Sequence, residues 1–278
     1  MSRAAGTKMA GKLSAKKSVC VIIDGKTEEW YIEKVKEHYP NRNMKETSIQ
    51  PKLLHEKTVK DLFDFAEEKI EEDYSKVVLI LDMDTVLKDN KEFEKFKTYF
   101  GAYQKSLAGS LNRRSKYSWM QNLLLIVNSP CLEFWYLLHF RKTNKFYSDY
   151  DDLKSDLIKC KLFENYDKSE RYYMNYPDIF TRLGGVDGIE QACRNAIPFA
   201  IDKAKEQGVS EMNKFFELFN EPDKEKQGQK KQSWRNDCFH SPVLLSNWQN
   251  KNIYIIISLI RKQEYEKRIS TEFFRVLR

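Results

Sequence analysis

The 278-residue chain is short of the residues that build small disulfide or zinc scaffolds, with five cysteines and four histidines. Cys20, Cys131, Cys160, Cys193 and Cys238 are odd in number, widely scattered and nowhere spaced C-x-x-C. That pattern indicates neither a disulfide framework nor a zinc site, and it fits a reducing compartment. No run of about eighteen apolar residues occurs, so no stretch reads as a membrane span. The basic N-terminus also lacks the apolar stretch of a signal peptide. A soluble, cytoplasmic protein without a membrane partner is expected. No internal repeat is present, which excludes a solenoid.

What the chain does have is a globular balance. Hydrophobic residues make up 41% and charged residues 32%, the latter above the usual ~25%, and the length suffices to bury a substantial core. The formal charge of +7 suits a polyanion. Five of those charges, Arg3, Lys8, Lys12, Lys16 and Lys17, sit in a first stretch of twenty residues without an acid. Such a tail either adds non-specific phosphate affinity or only keeps the protein in solution.

The order of patterns along the chain predicts an α/β fold. Residues 1–17, rich in Gly, Ala, Ser and Lys, read as a disordered basic tail. Ser18 to Ile23 is a short, nearly all-apolar run, as in a strand buried on both faces of a parallel sheet. Asp24-Gly25 ends it, and Thr27 opens a helical pattern with Glu28 and Glu29 in its first turn, closed by Pro40. A weak strand around Thr47 to Lys52 and a helix between Glu56 and Asp73 follow. Lys76 to Leu81 is the clearest strand, ending in Asp82-Met83-Asp84. Phe93, Phe96 and Phe100 mark the next helix, and Leu123 to Val127 another strand. Asn128-Ser129-Pro130 reads as a helix entry, with the helix running from Cys131 to about Phe140. Alternation of this kind gives a mostly parallel sheet flanked by helices. Beyond residue 140 the patterns are mainly helical. Glu221 to Arg235 reads as a mobile loop, and Ile253 to Ile260 as a buried helix or late strand.

Ligands of open parallel sheets bind beyond the carboxyl ends of the strands, where Asp24, Asp82 and Asp84 fall. Residues i and i+2 of a strand share a side, so Asp82 and Asp84 would present two carboxylates together if the extended conformation persists. A bound cation relieves the repulsion between such carboxylates, and Mg²⁺ or Mn²⁺ takes hard oxygen ligands of this type. The alternative is that each aspartate only marks a turn.

Three blocks together resemble the RloB-like proteins. They are Val21-Ile22-Ile23-Asp24-Gly25-Lys26-Thr27-Glu28 with Trp30-Tyr31, then Leu79-Ile80-Leu81-Asp82-Met83-Asp84, then Asn128-Ser129-Pro130-Cys131-Leu132-Glu133-Phe134-Trp135-Tyr136-Leu137-Leu138-His139-Phe140. The third is the most specific. A weaker echo at Tyr166-Asp167-Lys168 and around Asn195 extends the likeness toward residue 205.

The resemblance implies a Toprim-like domain over 18–140 with a mainly helical C-terminal lobe over 141–278. It implies a metal-dependent nuclease that cleaves RNA or DNA, and an effector role in prokaryotic anti-phage defence and abortive infection. Asp82 and Asp84 match the family's D-x-D. Asp24 stands where the family usually has glutamate, and its side chain is one methylene shorter, so Glu28 is a candidate to share its task. Asp24, Asp82 and Asp84 are the expected ligands of Mg²⁺ or Mn²⁺. Glu133 and His139 match acidic and histidine positions of the third block. Glu133 reaches the metal or only complements a helix dipole. His139 manages a proton or phosphate, or is a core histidine sharing a helix face with Trp135.

For nucleic acid, Lys26 is a candidate phosphate contact or an ion-pair partner. Arg113, Arg114 and Lys116, beside Tyr117 and Trp119, have a single-strand-binding composition that a solvated loop explains equally. The competing function is an inactive binding or sensing subunit that works with an ATPase or another defence partner. A hydrolase or phosphotransferase acting on nucleotides would use the same carboxylates. A homo-oligomer is compatible with all of these.

Overall fold

A computed structural model describes residues 17–23, 25–50, 58–72, 74–160, 163 and 165–220. Asp24, residues 1–16 of the basic tail, and the segments expected around 221–235 and 253–260 lie outside the described residues.

Five strands form one sheet in the order β2-β1-β3-β4-β5. These are β1 (Lys17–Ile22), β2 (Ser48–Gln50), β3 (Tyr74–Asp82), β4 (Leu123–Ser129) and β5 (Val209–Ser210). The first four run parallel, and β5 pairs antiparallel with β4. The three central strands are continuous apolar runs because both faces are covered. Alternate residues go to opposite cores: Val21, Val78, Ile80 and Ile126 to one, and Cys20, Ile22, Val77, Leu79, Leu81, Leu125 and Val127 to the other.

Helices α1 (Lys26–His38) and α6 (Glu133–Leu138) bury Tyr31, Ile32 and Val35, and Phe134 to Leu138, in the first core. The second core receives Leu62, Phe63 and Ala66 of α3 (Val59–Glu71), and Phe96, Phe100 and Tyr103 of α5 (Asn90–Leu107). Thr58 caps α3 reciprocally with Asp61, which fixes its start. Two short helices were not apparent in the sequence: α2 (Arg42–Lys45), capped by Asn41, and α4 (Met83–Lys88).

The expected boundary at residue 140 does not divide the core. Helices α7 (Tyr150–Leu157), α8 (Glu170–Met174), α9 (Ile179–Arg182), α10 (Gly185–Asn195) and α11 (Asn213–Asn220) contribute to the cluster that holds Val21, Ile126 and Trp135. The part beyond residue 140 is mainly helical, and from the same region β5 completes the sheet. Among the described residues no helix is long and apolar enough to cross a membrane.

Candidate active site

The site is built on the last residue of β3. Asp82 stands in register with Asn128 of the adjacent strand. The Asn128 side-chain amide donates to Asp82 Oδ1 at 3.1 Å, and the Leu132 backbone N–H donates to Oδ2 at 3.2 Å. Both carboxylate oxygens are therefore held. Asn128 is itself fixed, since its Oδ1 accepts from the Ser210 hydroxyl of β5 at 2.6 Å. Asn128 and Ser129 are thus strand residues and not the helix caps their sequence context suggests. The cap position of α6 is Leu132, without a side-chain cap.

Asp84 departs from the geometry expected of a D-x-D on a strand. Extension ends at Asp82, and Asp84 lies in the first turn of α4. A helix start needs acceptors for its first N–H groups, and the Pro130 carbonyl supplies one, accepting from Met83 and Asp84 at 2.9 and 3.0 Å. The Asp84 carboxylate accepts from the Thr85 N–H at 2.7 Å. Its charge still acts on Asp82, from a helical turn instead of the same strand face.

Glu28 is the acid that α1 brings to this place. It is 5% exposed, and its Oε2 accepts from the Thr27 hydroxyl at 3.1 Å. The same oxygen lies 2.7 Å from the position a Cβ on Gly25 would take, so any other residue there would push the Glu28 carboxylate aside. Burial first, then the charges of Glu28 and Glu133, push the Asp82 carboxyl well above the ordinary carboxylate range. The hydrogen bond from Asn128 acts against that rise.

Glu133, at the start of α6, is 1% exposed. Its Oε1 accepts from the Tyr166 hydroxyl at 2.8 Å and pairs with Lys168 Nζ, also at 2.8 Å. Tyr166 is hydrogen-bonded to Tyr173, which accepts from Tyr136 at 3.4 Å. Lys168 lies over the Tyr150 ring, 3.9 Å from its centroid. Tyr150 and Tyr173 were not identified from the sequence, Asn128 was read there only as a helix entry within the family block, and Lys168 appeared only as part of a weak family echo.

His139 is brought to the core and not to the acids. Its Nδ1 lies 2.9 Å from the Leu183 carbonyl, its ring packs edge-on against Trp135, and its buried Nε2 has no partner among the described residues. Burial pulls its pKa down to about 4, so the ring is neutral near pH 7. This is the core-histidine arrangement.

The basic candidates also lie away from the acids. Arg113, Arg114 and Lys116 are exposed in the connection from α5 to a short 3-10 turn, Ser118–Asn122, that leads directly into β4. They therefore sit at the amino-terminal end of β4, whereas Asn128 lies near its other end, roughly 16 Å from Leu123 at about 3.3 Å per residue. Tyr117 and Trp119 are half-buried, packed against the second core. Lys26 is 67% exposed and pairs with Glu29 Oε2 at 2.5 Å.

Whether these residues suit a divalent ion depends on donor type and on space. Among the described residues no three His, Cys, Asp or Glu side chains form a ready metal cage. The side chains whose charges act on Asp82 are nonetheless all carboxylates, the hard oxygen donors that Mg²⁺ and Mn²⁺ take in ones and twos, with water and phosphate completing the shell. The Glu28 carboxylate rests against Gly25, where no Cβ stands in its way. The donor set fits.

No curated protein and no solved structure matches the chain. A family model described as RloB-like protein matches residues 19–221, from β1 to just past α11, and the chain belongs to the RloB-like family.

Proposed function

We propose that the protein is a divalent-metal-dependent nuclease of the Toprim type that cleaves RNA or DNA phosphodiesters as an effector of prokaryotic anti-phage defence. The observation that carries this reading is the crowding of Glu28, Glu133 and Asp84 on Asp82, which raises its proton affinity. A site arranged in this way takes up a proton when alone and releases it to a cation.

Asp82 and Asp84 would hold Mg²⁺ or Mn²⁺, with Asp24 joining them on the strength of the sequence motif. A bound ion supplies Lewis-acid stabilisation of the charge developing on the phosphoryl group and leaving oxygen. The protein's own part is preorganisation. Asn128 and the Leu132 N–H fix both Asp82 oxygens, so little rearrangement is left for the reacting complex. Gly25 leaves the Glu28 carboxylate room beside the first-strand motif, where it can accept a proton from the attacking water.

The test is incubation of the purified protein with plasmid, single-stranded DNA and total RNA including tRNA, in Mg²⁺ or Mn²⁺. Asp82→Ala and Asp84→Ala are expected to abolish cleavage while the fold survives. Full activity in the double variant would end the reading. The absence of a ready cage among the described residues favours a second reading, an inactive nucleic-acid-binding or sensing subunit acting with an ATPase. That reading prevails if calorimetry detects no Mg²⁺ or Mn²⁺ binding and no polymer is cut.

A further inference from the structure

Carboxylates whose charges act on one another, as those of Glu28, Glu133 and Asp84 act on Asp82, repel a phosphate. A site that processes nucleic acid therefore needs a cation of its own beside the acids. The Lys26 ammonium is committed to Glu29, Arg113, Arg114 and Lys116 lie at the other end of β4, and His139 is neutral. Lys168 is placed differently, since it is bound to Glu133, one of the acids that act on Asp82.

We propose that Lys168, steered by Glu133 and by the face of Tyr150, is the residue of this site that contacts a phosphate group of the substrate. An ammonium has three N–H groups. One is directed to Glu133 Oε1, and the cation rests over the Tyr150 ring. No further partner holds it among the described residues, and the side chain is 38% exposed while Glu133 is 1% exposed. The buried carboxylate thus anchors the ammonium from below, and a free N–H remains toward solvent to donate to a non-bridging phosphate oxygen.

The surroundings fix its position beside the acids. Tyr150 opens α7, whose cap residue Asp149 pairs at 3.6 Å with Lys88 of α4, the helix that carries Asp84. The Cys131 thiol is pushed up by burial and by Glu133 and Asp82 and pulled down by Lys168, so all three charges act on it. Burial lowers the proton affinity of Lys168, but Glu133 more than compensates, so the ammonium keeps its charge. Its role is positioning and charge complementarity, with no proton transferred.

The inference rests on the reading of the site as one for phosphodiesters, and the experiment separates the two. Binding of inorganic pyrophosphate and of labelled single-stranded DNA and RNA hexamers is measured on the full chain with Ca²⁺ in place of Mg²⁺, across a salt series. Lys168→Met is expected to weaken binding roughly tenfold, as for loss of one charge-assisted hydrogen bond, and to lower the salt slope for the hexamers by about one. Lys168→Arg should stay within a few-fold of wild type. Because Lys168→Met leaves Glu133 buried and unpaired, the double variant Glu133→Gln/Lys168→Met is measured beside it. It should unfold near the wild-type temperature and still bind weakly.

Wild-type affinity and slope in both Met variants would make Lys168 a structural counter-ion only and overturn the proposal, as would a wild type that binds neither probe. If binding depends on Lys168 but no polymer is ever cut, the nuclease reading falls and this inference stands. If cleavage depends on Asp82 while binding ignores Lys168, the reverse holds.

Discussion

A Cβ on Gly25 would stand 2.7 Å from Oε2 of Glu28, a separation that real Cβ atoms essentially never show. The glycine is therefore what lets this buried carboxylate reach the region of Asp82. In Gly25→Ala the flexible end of Glu28 must move while the backbone, at φ −141° and ψ 179°, tolerates alanine. The expected stability change is within about 1 kcal/mol, as for substitutions that break no buried network. Mn²⁺ affinity by calorimetry should fall about tenfold. Unchanged affinity would remove Glu28 from the site.

Asn128 clamps Asp82, so Asn128→Asp places two carboxylates in register where an amide and a carboxylate now meet. At neutral pH the variant should lose roughly 2–4 kcal/mol, since a buried like-charge pair replaces a hydrogen bond. The loss should shrink as pH falls and one of the pair takes up a proton, because a raised folded pKa is a stabilising term at low pH that is lost as pH rises through it. Thermal unfolding at pH 5 and pH 8 checks this, and an equal deficit at both would contradict it.

His139 gives a pH dependence of the opposite sign. Its folded pKa of about 4 lies below the ordinary 6.5, so the unfolded chain binds the proton first as pH falls. Stability attributable to the neutral ring is fully present above pH 6.5 and is lost as pH drops toward 4, by up to roughly 3 kcal/mol. Urea unfolding of wild type and His139→Gln over that window should show the slope weakened in the variant. A bell-shaped cleavage profile that loses a limb in His139→Gln, with stability unaffected, would restore a catalytic duty to the ring.

Replacing Arg113, Arg114 and Lys116 together with alanine should change stability by less than about 0.5 kcal/mol, because all three are exposed. Cleavage of a substrate of two or three nucleotides should stay within about twofold, since at about 3.4 Å per stacked nucleotide such a strand at Asp82 does not reach the amino-terminal end of β4. A tenfold loss on that short substrate would show that nucleic acid follows a path the acids alone do not define.

How much of this was legible beforehand depends on how local each feature is. The strands β1, β3 and β4 announce themselves because burial on both faces makes every residue apolar, and Asp82 is visible because it interrupts such a run. Glu28 is legible as an acid in a first helical turn, but not its reach, which depends on the missing side chain of Gly25. Asp84 was misplaced because spacing cannot say where extension stops. The Pro130 carbonyl, from a distant segment, accepts the N–H groups that start the helix.

The sequence by itself therefore determined the α/β layering, the family, and Asp82 at the end of β3, all of which follow from periodicity and short motifs. Only the tertiary structure decided which side chains complete them. Asn128 reaches Asp82 from 46 residues away and Tyr166 reaches Glu133 from 33, while His139 was withdrawn into the core by the Leu183 carbonyl, 44 residues along. Pairings at such separations are set by strand register and helix packing, and no local pattern of residues encodes them.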